Sequence, residues 1–302
     1  MKNIKFHIKQ TLLILLVMSS IAKAQDLEPR SLSPAPVGMN FLAAGYLNSS
    51  GNIMLDPALP IEGLNAKLHT FVGAYVRTIN FFGLPAKVDM IIPVTTGKWN
   101  AEVNEIDSSV TRTGLGDPLV RFSVNIIGDK AQEISNFRKN QKDFNLGLAF
   151  RIRVPVGQYD NTKLINLGSN RWTFRTSLGM SYKVSKWVFE FHLNSWFFTK
   201  NNEFWNGNKL EQSPMFSGQA HIIYTFKPGF WGAISYGLVN GGATTLNDFE
   251  KDDDLLSERI GAVLTVPLFP RNALKFVVSS GISARYGAKF TTFGLMYQYS
   301  WF

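Results

Sequence analysis

Apolar and polar residues alternate with a period of two along this chain, in blocks of about ten residues. In the clearest block, 144–154, Leu146 and Phe150 lie on one face while Asn145 and Arg151 lie on the other. The same pattern recurs in 172–184, 187–197, 216–226 and 274–285. No apolar run beyond residue 25 is long enough for a transmembrane helix. Blocks of this length and period are typical of transmembrane β-strands.

The two faces of these blocks differ in the kind of residue they carry. The polar face holds small residues and arginines, whereas the apolar face is bulky and has aromatic residues near the strand ends. Charged residues make up 18% of the chain and aromatic residues 13%. A lipid-facing exterior with aromatic girdles around a polar interior produces this contrast. An exported soluble β-sandwich is the alternative, because its strands alternate as well.

Residues 1–24 have the three parts of a secretory signal peptide. A basic start is followed by the apolar run 12–18, and Ala22-Lys23-Ala24 forms an A-x-A cleavage pattern. Removing this segment takes the formal charge from +9 to about +5, so we expect no nucleic-acid partner. We expect a short periplasmic lead over 25–37 and a barrel over 38–302.

We predict an all-β fold, a closed antiparallel transmembrane barrel of about twelve strands. The predicted strands are 38–47, 67–79, 86–95, 117–127, 143–155, 172–184, 187–198, 215–226, 230–240, 258–266, 273–285 and 290–302. The predicted connections are mostly long after odd strands and short after even strands, which is expected when both termini are periplasmic. The exceptions are 128–142, a longer turn with helical character, and the very short last external loop near 286–289.

The final strand carries a further signal. The stretch 292–299 fits polar-x-Gly-x-x-aromatic-x-aromatic and resembles the signal read by the machinery that assembles outer-membrane barrels. Trp301 continues the face of Tyr297 and Tyr299, which leaves Phe302 out of phase. We therefore expect the mature chain in the outer membrane of a Gram-negative cell, in contact with its lipid and lipopolysaccharide.

Three segments resemble one family of outer-membrane proteins, named for a putative MetA pathway of phenol degradation. They are the Gly-x-Gly-Asp-Pro stretch 113–118, the stretch 154–160 and the stretch 163–172. The resemblance implies an outer-membrane barrel linked to uptake of aromatic or other hydrophobic small molecules. It implies no catalytic residues.

If the aliphatic faces meet lipid, basic side chains collect inside the barrel. The lumen candidates are Arg77, Arg121, Arg151, Arg153, Arg175, Glu190, His192 and Arg259. A pore lined by positive groups favours anions, which suggests small organic or aromatic acids as solutes. The alternative is a structural lattice of Arg, Glu and polar loops that fills a narrow lumen. Tyr75 and Trp196 are candidate inward aromatic residues.

The loop motifs supply a second set of candidates. They are Gly114, Gly116, Asp117, Gly157, Tyr159, Asp160 and Arg171. Glycine permits backbone conformations that a Cβ forbids, and Asp-Pro makes a rigid entry into a strand. Gly114, Gly116 and Asp117 form either a strand-starting turn at the external rim or a ligand contact. The other four either form a constriction in the lumen or make a turn needed for folding.

The sequence favours a passive channel over an enzyme. His192 and Ser195 are three residues apart in a strand and so face opposite sides, and none of the usual catalytic motifs occurs in a suitable context. We expect no cofactor and no metal site, and we read the acidic stretch 247–254 as a surface loop. The rival function is a plugged barrel that serves structure or surface binding. The oligomeric state is left open.

Overall fold

The computed structural model describes residues 27–54, 61–137, 139 and 141–302. The signal peptide predicted at 1–24 lies outside these residues. Within the described ranges, no helix is long and apolar enough to cross a membrane.

A closed antiparallel barrel of twelve wall strands forms most of the chain, as predicted. The barrel closes because β1 pairs with both β2 and β17, and β2 pairs with β3. The wall consists of β1 (Asn40–Met54), β2 (Ile61–Phe81), β3 (Leu84–Val103), β4 with β5 (Ile106–Leu115 and Leu119–Ile127), β6 (Phe144–Arg153), β7 (Thr173–Val184), β8 (Trp187–Phe198), β11 (Met215–Lys227), β12 (Phe230–Gly241), β15 (Leu255–Phe269), β16 (Asn272–Ala284) and β17 (Gly287–Trp301).

Several strands extend beyond their predicted ends: β1 continues to Met54, β2 begins at Ile61, and β3 has the longest extension. The stretch 96–116, predicted as a loop, is a hairpin in which β3 continues to Val103 and β4 returns from Ile106. Its turn residues Asn104 and Glu105 both have positive φ, 51° and 63°. The outward positions of this hairpin are polar, so the alternation that marks a lipid-facing strand is absent there.

The remaining elements are short. The helix α1 (Ile134–Phe137) lies in the turn for which helical character was predicted. The strands β9 (Asn201–Phe204), β10 (Asn208–Gln212), β13 (Thr244–Leu246) and β14 (Phe249–Glu250) form a separate sheet within two predicted loops. Phe204, Leu210 and Leu246 pack together as its apolar core.

The predicted apolar faces point outward. Phe150, Leu178 and Phe191 expose about two fifths of their side chains, while their neighbours on the other face are buried. This is the inverse of a soluble sandwich, whose large apolar residues are turned inward. The exposed apolar band is the surface that lipid would cover.

The interior contains two regions of different chemistry. At the end with the long loops, inward apolar side chains from several wall strands pack with residues of the loop 154–172. This apolar cluster includes Ile53, Leu64, Trp99, Ile165, Trp196, Met215, Val239, Leu255 and Phe290. The region next to it is polar and charged, and it is filled by the chain that precedes β1.

Candidate functional site

The described chain before β1, residues 27–39, enters the barrel, where 27–33 contact the inner wall, and we call 27–39 the inner segment. Leu27 lies against Gly261, where an added Cβ would come within 2.8 Å of Leu27 Cδ1. Leu32 lies against Gly179 in the same way. Glycine at these wall positions therefore makes room for the inner segment. The lead expected over 25–37 thus enters the lumen over its described part.

Glu28 is the centre of an ion-pair network in the lumen. Its carboxylate accepts hydrogen bonds from Arg121 Nη1 at 2.8 Å and from Arg175 Nη2 at 3.0 Å. Arg151 pairs with the other carboxylate oxygen, and Asp89 pairs with Arg121. Like charges directly opposite each other destabilise a sheet, and here Arg151 lies opposite both Arg121 and Arg175. Glu28 offsets this repulsion.

The same arginines hold Glu28 in its ionised form. Burial alone would raise the pKa of Glu28, because burial disfavours a charged carboxylate. The positive charges of Arg151, Arg175 and Arg121 outweigh burial and keep the pKa of Glu28 well below its usual value. Glu28 is therefore ionised at neutral pH.

A second set of contacts holds the part of the inner segment that is closer to β1 in the chain. Glu190 accepts hydrogen bonds from the backbone N–H of Arg30 at 2.8 Å and from Ser33 Oγ at 3.0 Å. The Arg30 guanidinium donates to Thr225 at 2.6 Å. Lys87 Nζ donates to the Ser33 carbonyl at 3.0 Å. The segment is thus seated by charge-assisted hydrogen bonds rather than by a large apolar contact.

His192 and His221 face each other in the lumen with their ring centroids 5.0 Å apart. His192 Nε2 is 3.8 Å from a Glu190 oxygen, and His221 Nδ1 is 2.8 Å from Ser235 Oγ. Ser195 lies on the outward face of the same strand as His192. The two histidines therefore belong to the polar lining.

Asp117 ties the loop motifs together. Its carboxylate accepts hydrogen bonds from the Gly157 N–H at 3.0 Å, from the Ser169 N–H at 2.8 Å and from Ser169 Oγ at 2.6 Å. Gly157 fits only without a side chain, since an added Cβ would lie 2.7 Å from Asp117 Oδ1. Gly114 and Gly116 flank this contact at the end of β4. The motif fixes the loop 154–172 against the break between β4 and β5.

The other loop candidates occupy three different environments. Arg171 is buried, hydrogen bonds to Gln212, and has its guanidinium 4.7 Å from the Phe198 ring centre. Burial lowers the pKa of Arg171 to about 10, and neighbouring Arg153 adds to this effect. Tyr159 bonds to Asn201 and to the Glu203 carbonyl, and burial raises its pKa.

Asp160 is a surface group in a local turn. It accepts hydrogen bonds from Thr162 and pairs with Lys163 at 2.6 Å. The hydrogen bond from Lys163, together with those from Thr162, lowers the pKa of Asp160 to about 2. Its contacts are those of a turn that orders the start of the loop.

The structure places most lumen candidates inside the barrel. Arg121, Arg151 and Arg175 meet at Glu28, and Arg259 Nη1 donates to Ser279 Oγ at 3.2 Å. Inward positions of the wall also hold Arg153, Glu190 and His192. Glu190 lies opposite Ser181 and His221 in the wall rather than opposite the arginines of β6 and β7.

Arg77 and Tyr75 lie outside the lumen, so their predicted inward placement was wrong. Arg77 is exposed opposite Val88, and Tyr75 donates to Asn40 at 2.7 Å on the outer wall. The stretch 71–76 is almost wholly apolar, so its sequence does not reveal which face is inward. Trp196 is buried inside, as predicted.

Sequence reasoning missed the inner segment and its Glu28, Arg30 and Ser33. One signal pointed to Glu28. Arg121, Arg151 and Arg175 lie inward on consecutive strands and face a single wall acid, Asp89. Buried cations need a counter-charge, so one further acid was to be expected near them.

The family described as "Putative MetA-pathway of phenol degradation" matches residues 57–297. The chain belongs to this family. The resemblance of the three segments within 113–172 is thereby confirmed. Comparison with curated proteins finds no match.

Solved structures share the fold of this family member. An outer membrane channel from Pseudomonas putida F1 is 16% identical, with 91% of this chain and 100% of that chain covered and a TM-score of 0.77. The β-domain of the Bordetella autotransporter BrkA is 11% identical, with coverage of 87% and 100% and a TM-score of 0.54. The translocator domain of NalP from Neisseria meningitidis is 9% identical, with coverage of 100% and 98% and a TM-score of 0.51.

Proposed function

We propose that this protein is an outer-membrane channel for passive uptake of small hydrophobic or aromatic solutes, including aromatic acids. The observation that carries this proposal is the apolar cluster at the long-loop end of the lumen. A barrel built for hydrophilic solutes has a polar interior. Here Trp99, Trp196 and Phe290 are buried inside the barrel instead, packed together with aliphatic residues.

The charged region next to the cluster supports the anionic part of the proposal. Arg121, Arg151 and Arg175 share one carboxylate, Glu28, and Arg121 also pairs with Asp89. If Glu28 moves away, the lumen keeps three adjacent guanidinium groups that attract an organic anion. The name of the family and the description of the Pseudomonas structure as a channel agree with this function.

Both termini are proposed to lie in the periplasm. The short turns at 185–186 and 228–229 and the end of β17 share one end of the barrel, and the long loops lie at the other. In outer-membrane barrels the long loops are extracellular. The apolar cluster would then be the outer entry and the inner segment the periplasmic gate.

Uptake of a labelled neutral aromatic and a labelled aromatic acid by cells with and without the gene tests the proposal. Val239→Asn places an amide in the apolar cluster, where Val239 is 1% exposed, and is expected to slow uptake of both solutes several-fold. Ile106→Asn, at the tip of the β3–β4 hairpin, is the matched control. Heat-modifiable gel migration checks that both variants fold. Uptake that is unchanged by deletion contradicts the proposal.

A second candidate, a plugged structural or surface-binding barrel, is favoured by the inner segment that fills the lumen. It predicts no conductance in planar bilayers under any condition. It also predicts specific binding that is lost when 199–214 or 241–257 is trimmed. Measurable conductance with anion preference would support the channel.

A further inference from the structure

On the outer wall around β1, the outward side chains change from apolar to polar between one outward position of each strand and the next. One outward row, in register across five strands, is apolar and consists of Leu295, Tyr46, Phe71, Val94 and Leu115. The next outward row lies two residues nearer to the loops and consists of Phe293, Asn48, His69, Thr96 and Thr113. All of these residues except Phe293 are polar. Two residues of a strand span roughly 7 Å. The edge of the hydrocarbon therefore lies close to the Tyr46 and Phe71 rings.

Three lysines lie above this edge, and we call them the lysine band: Lys67 and Lys98 are four residues beyond the apolar row, and Lys289 is six residues beyond it. Lys67 is directly opposite Lys98, and Lys289 is opposite Asn52 on the neighbouring strand pair. All three are exposed on the outward face. Within the described ranges none of them forms an ion pair with a carboxylate. Like charges that face each other without a counter-ion destabilise a sheet. An external anion bound here would offset the repulsion between Lys67 and Lys98.

The two nearest carboxylates on β2 and β3 do not supply that counter-charge. Glu62 and Glu102 lie opposite each other further toward the hairpin tip. Glu102 is four residues from Lys98 along β3, which is roughly 13 Å in an extended strand. Separation on this scale exceeds an ion-pair contact and is screened at ordinary ionic strength.

The lysine band borders a concave site on the outer wall. This site has a volume of about 410 Å³, and its lining includes Lys67 and Lys98. Its other polar lining residues include Ser50, Asn52, Asn65 and Asn100. Ammonium groups, side-chain amides and a hydroxyl are donors that suit the several acceptor oxygens of a phosphate group.

An apolar groove crosses β15, β16, β17 and β1 and adjoins the polar site at β1. The groove has a volume of about 430 Å³, and its lining includes Tyr46, Phe276 and Leu295. Outward positions of β1 contribute to both cavities, Tyr46 and Asn48 to the groove and Ser50 and Asn52 to the polar site. An amphipathic molecule matches these two adjoining cavities when its phosphate lies in the polar site and its acyl chain lies in the apolar groove.

We propose that this face binds one phosphate-bearing glycolipid of the lipopolysaccharide type, with a phosphate on the lysine band and an acyl chain in the groove. A lipid is favoured over free phosphate because the apolar groove adjoins the cationic site. The inference rests on the membrane placement in the proposed function, but it does not depend on whether the lumen conducts. Transport and lipid binding can therefore fail separately.

The test uses the delipidated full-length protein in detergent. The probes are bis-phosphorylated lipid A, its dephosphorylated form and inorganic phosphate, with bound lipid counted by native mass spectrometry. The triple variant Lys67→Gln, Lys98→Gln and Lys289→Gln removes the lysine band. The matched control is Lys139→Gln, Lys186→Gln and Lys227→Gln, which removes the same charge from exposed lysines in the turns at the other end.

One lipid A per barrel is expected, with affinity at least tenfold weaker after loss of the lysine band and unchanged in the control. Dephosphorylated lipid A is expected to bind as weakly to the wild type as lipid A binds to the lysine-band variant. Ala262→Leu, which narrows the groove, is expected to weaken binding of lipid A several-fold. Equal binding to all variants overturns the proposal. Inorganic phosphate binding as tightly as lipid A overturns the lipid assignment, as does a stable dimer that buries the groove.

Discussion

Glu28 shows how one side chain controls the polar half of this lumen. It lies 93 residues from Arg121 and 147 residues from Arg175 in the chain, yet it joins both. The cost of burying three guanidinium groups is offset only while an acid lies among them. Glu28 therefore both supplies a counter-charge that three arginines share and seats the inner segment.

Glu28→Gln is expected to release the inner segment. Removing one partner of a buried ion pair costs about 3–5 kcal/mol, which shifts the seated-to-released ratio by roughly two to three and a half orders of magnitude. Trypsin should then cleave after Arg30 in the folded barrel, and planar-bilayer conductance should rise. Glu250→Gln, the same change on an exposed strand of the loop sheet, should behave like wild type. An uncleaved Glu28→Gln barrel with wild-type conductance would contradict this role.

The depressed pKa of seated Glu28 also predicts that the stability of the seated inner segment depends on pH. The pKa of Glu28 is well below 4.5 when seated and returns to about its ordinary value when released. The stabilisation is therefore complete above about pH 4.5 and is lost as the pH falls through the depressed pKa. Conductance is expected to stay constant between about pH 7.5 and 5 and to rise below roughly pH 4. In Glu28→Gln this acid-induced rise should be absent.

Among the elements, the loop 154–172 depends on a contact that its own sequence does not contain. Asp117, at the break between β4 and β5, holds two backbone N–H groups of that loop. The loop then brings Ile165 and Leu167 into the apolar cluster. The glycine-rich stretch 113–118 was interpreted as either a turn or a ligand contact, and its observed contacts are those of a clamp between loops.

Asp117→Ala is expected to loosen the loop while leaving the wall intact. Three hydrogen bonds to a carboxylate are lost, which lowers the local stability of the loop by about 3 kcal/mol. Arg171, buried in the wild type, should become a trypsin site, with cleavage mapped by mass spectrometry on protein in lipid vesicles. Asp107→Ala on the exposed β3–β4 hairpin serves as the control. If Arg171 stays protected, the clamp is not what holds the loop.

For the barrel as a unit, the outward band must face hydrocarbon. Leu178 lies near the middle of β7, opposite Leu148 and Leu193 on its two neighbours, and it is 41% exposed. A lysine there would be placed in lipid, whereas the exposed Phe249 of the loop sheet lies outside the wall. The same substitution at the two positions therefore separates membrane burial from a general effect of lysine.

Leu178→Lys is expected to lower the free energy of unfolding by about 2–4 kcal/mol, and Phe249→Lys by much less. Urea titration of the folded protein in lipid vesicles measures both. Equal costs at the two sites would mean that the outward band does not contact lipid.

The local sequence determined the wall. Strands such as β7 and β8 were predicted to within one residue, because lipid outside and a polar lumen inside impose a strict period of two. Where that contrast disappears, prediction failed, as in the apolar stretch 71–76 and in the polar β3–β4 hairpin. The contents of the lumen were decided by tertiary structure alone. Nothing near Glu28 or Asp117 in the sequence specifies its partners, because those partners come together only when the barrel closes around them.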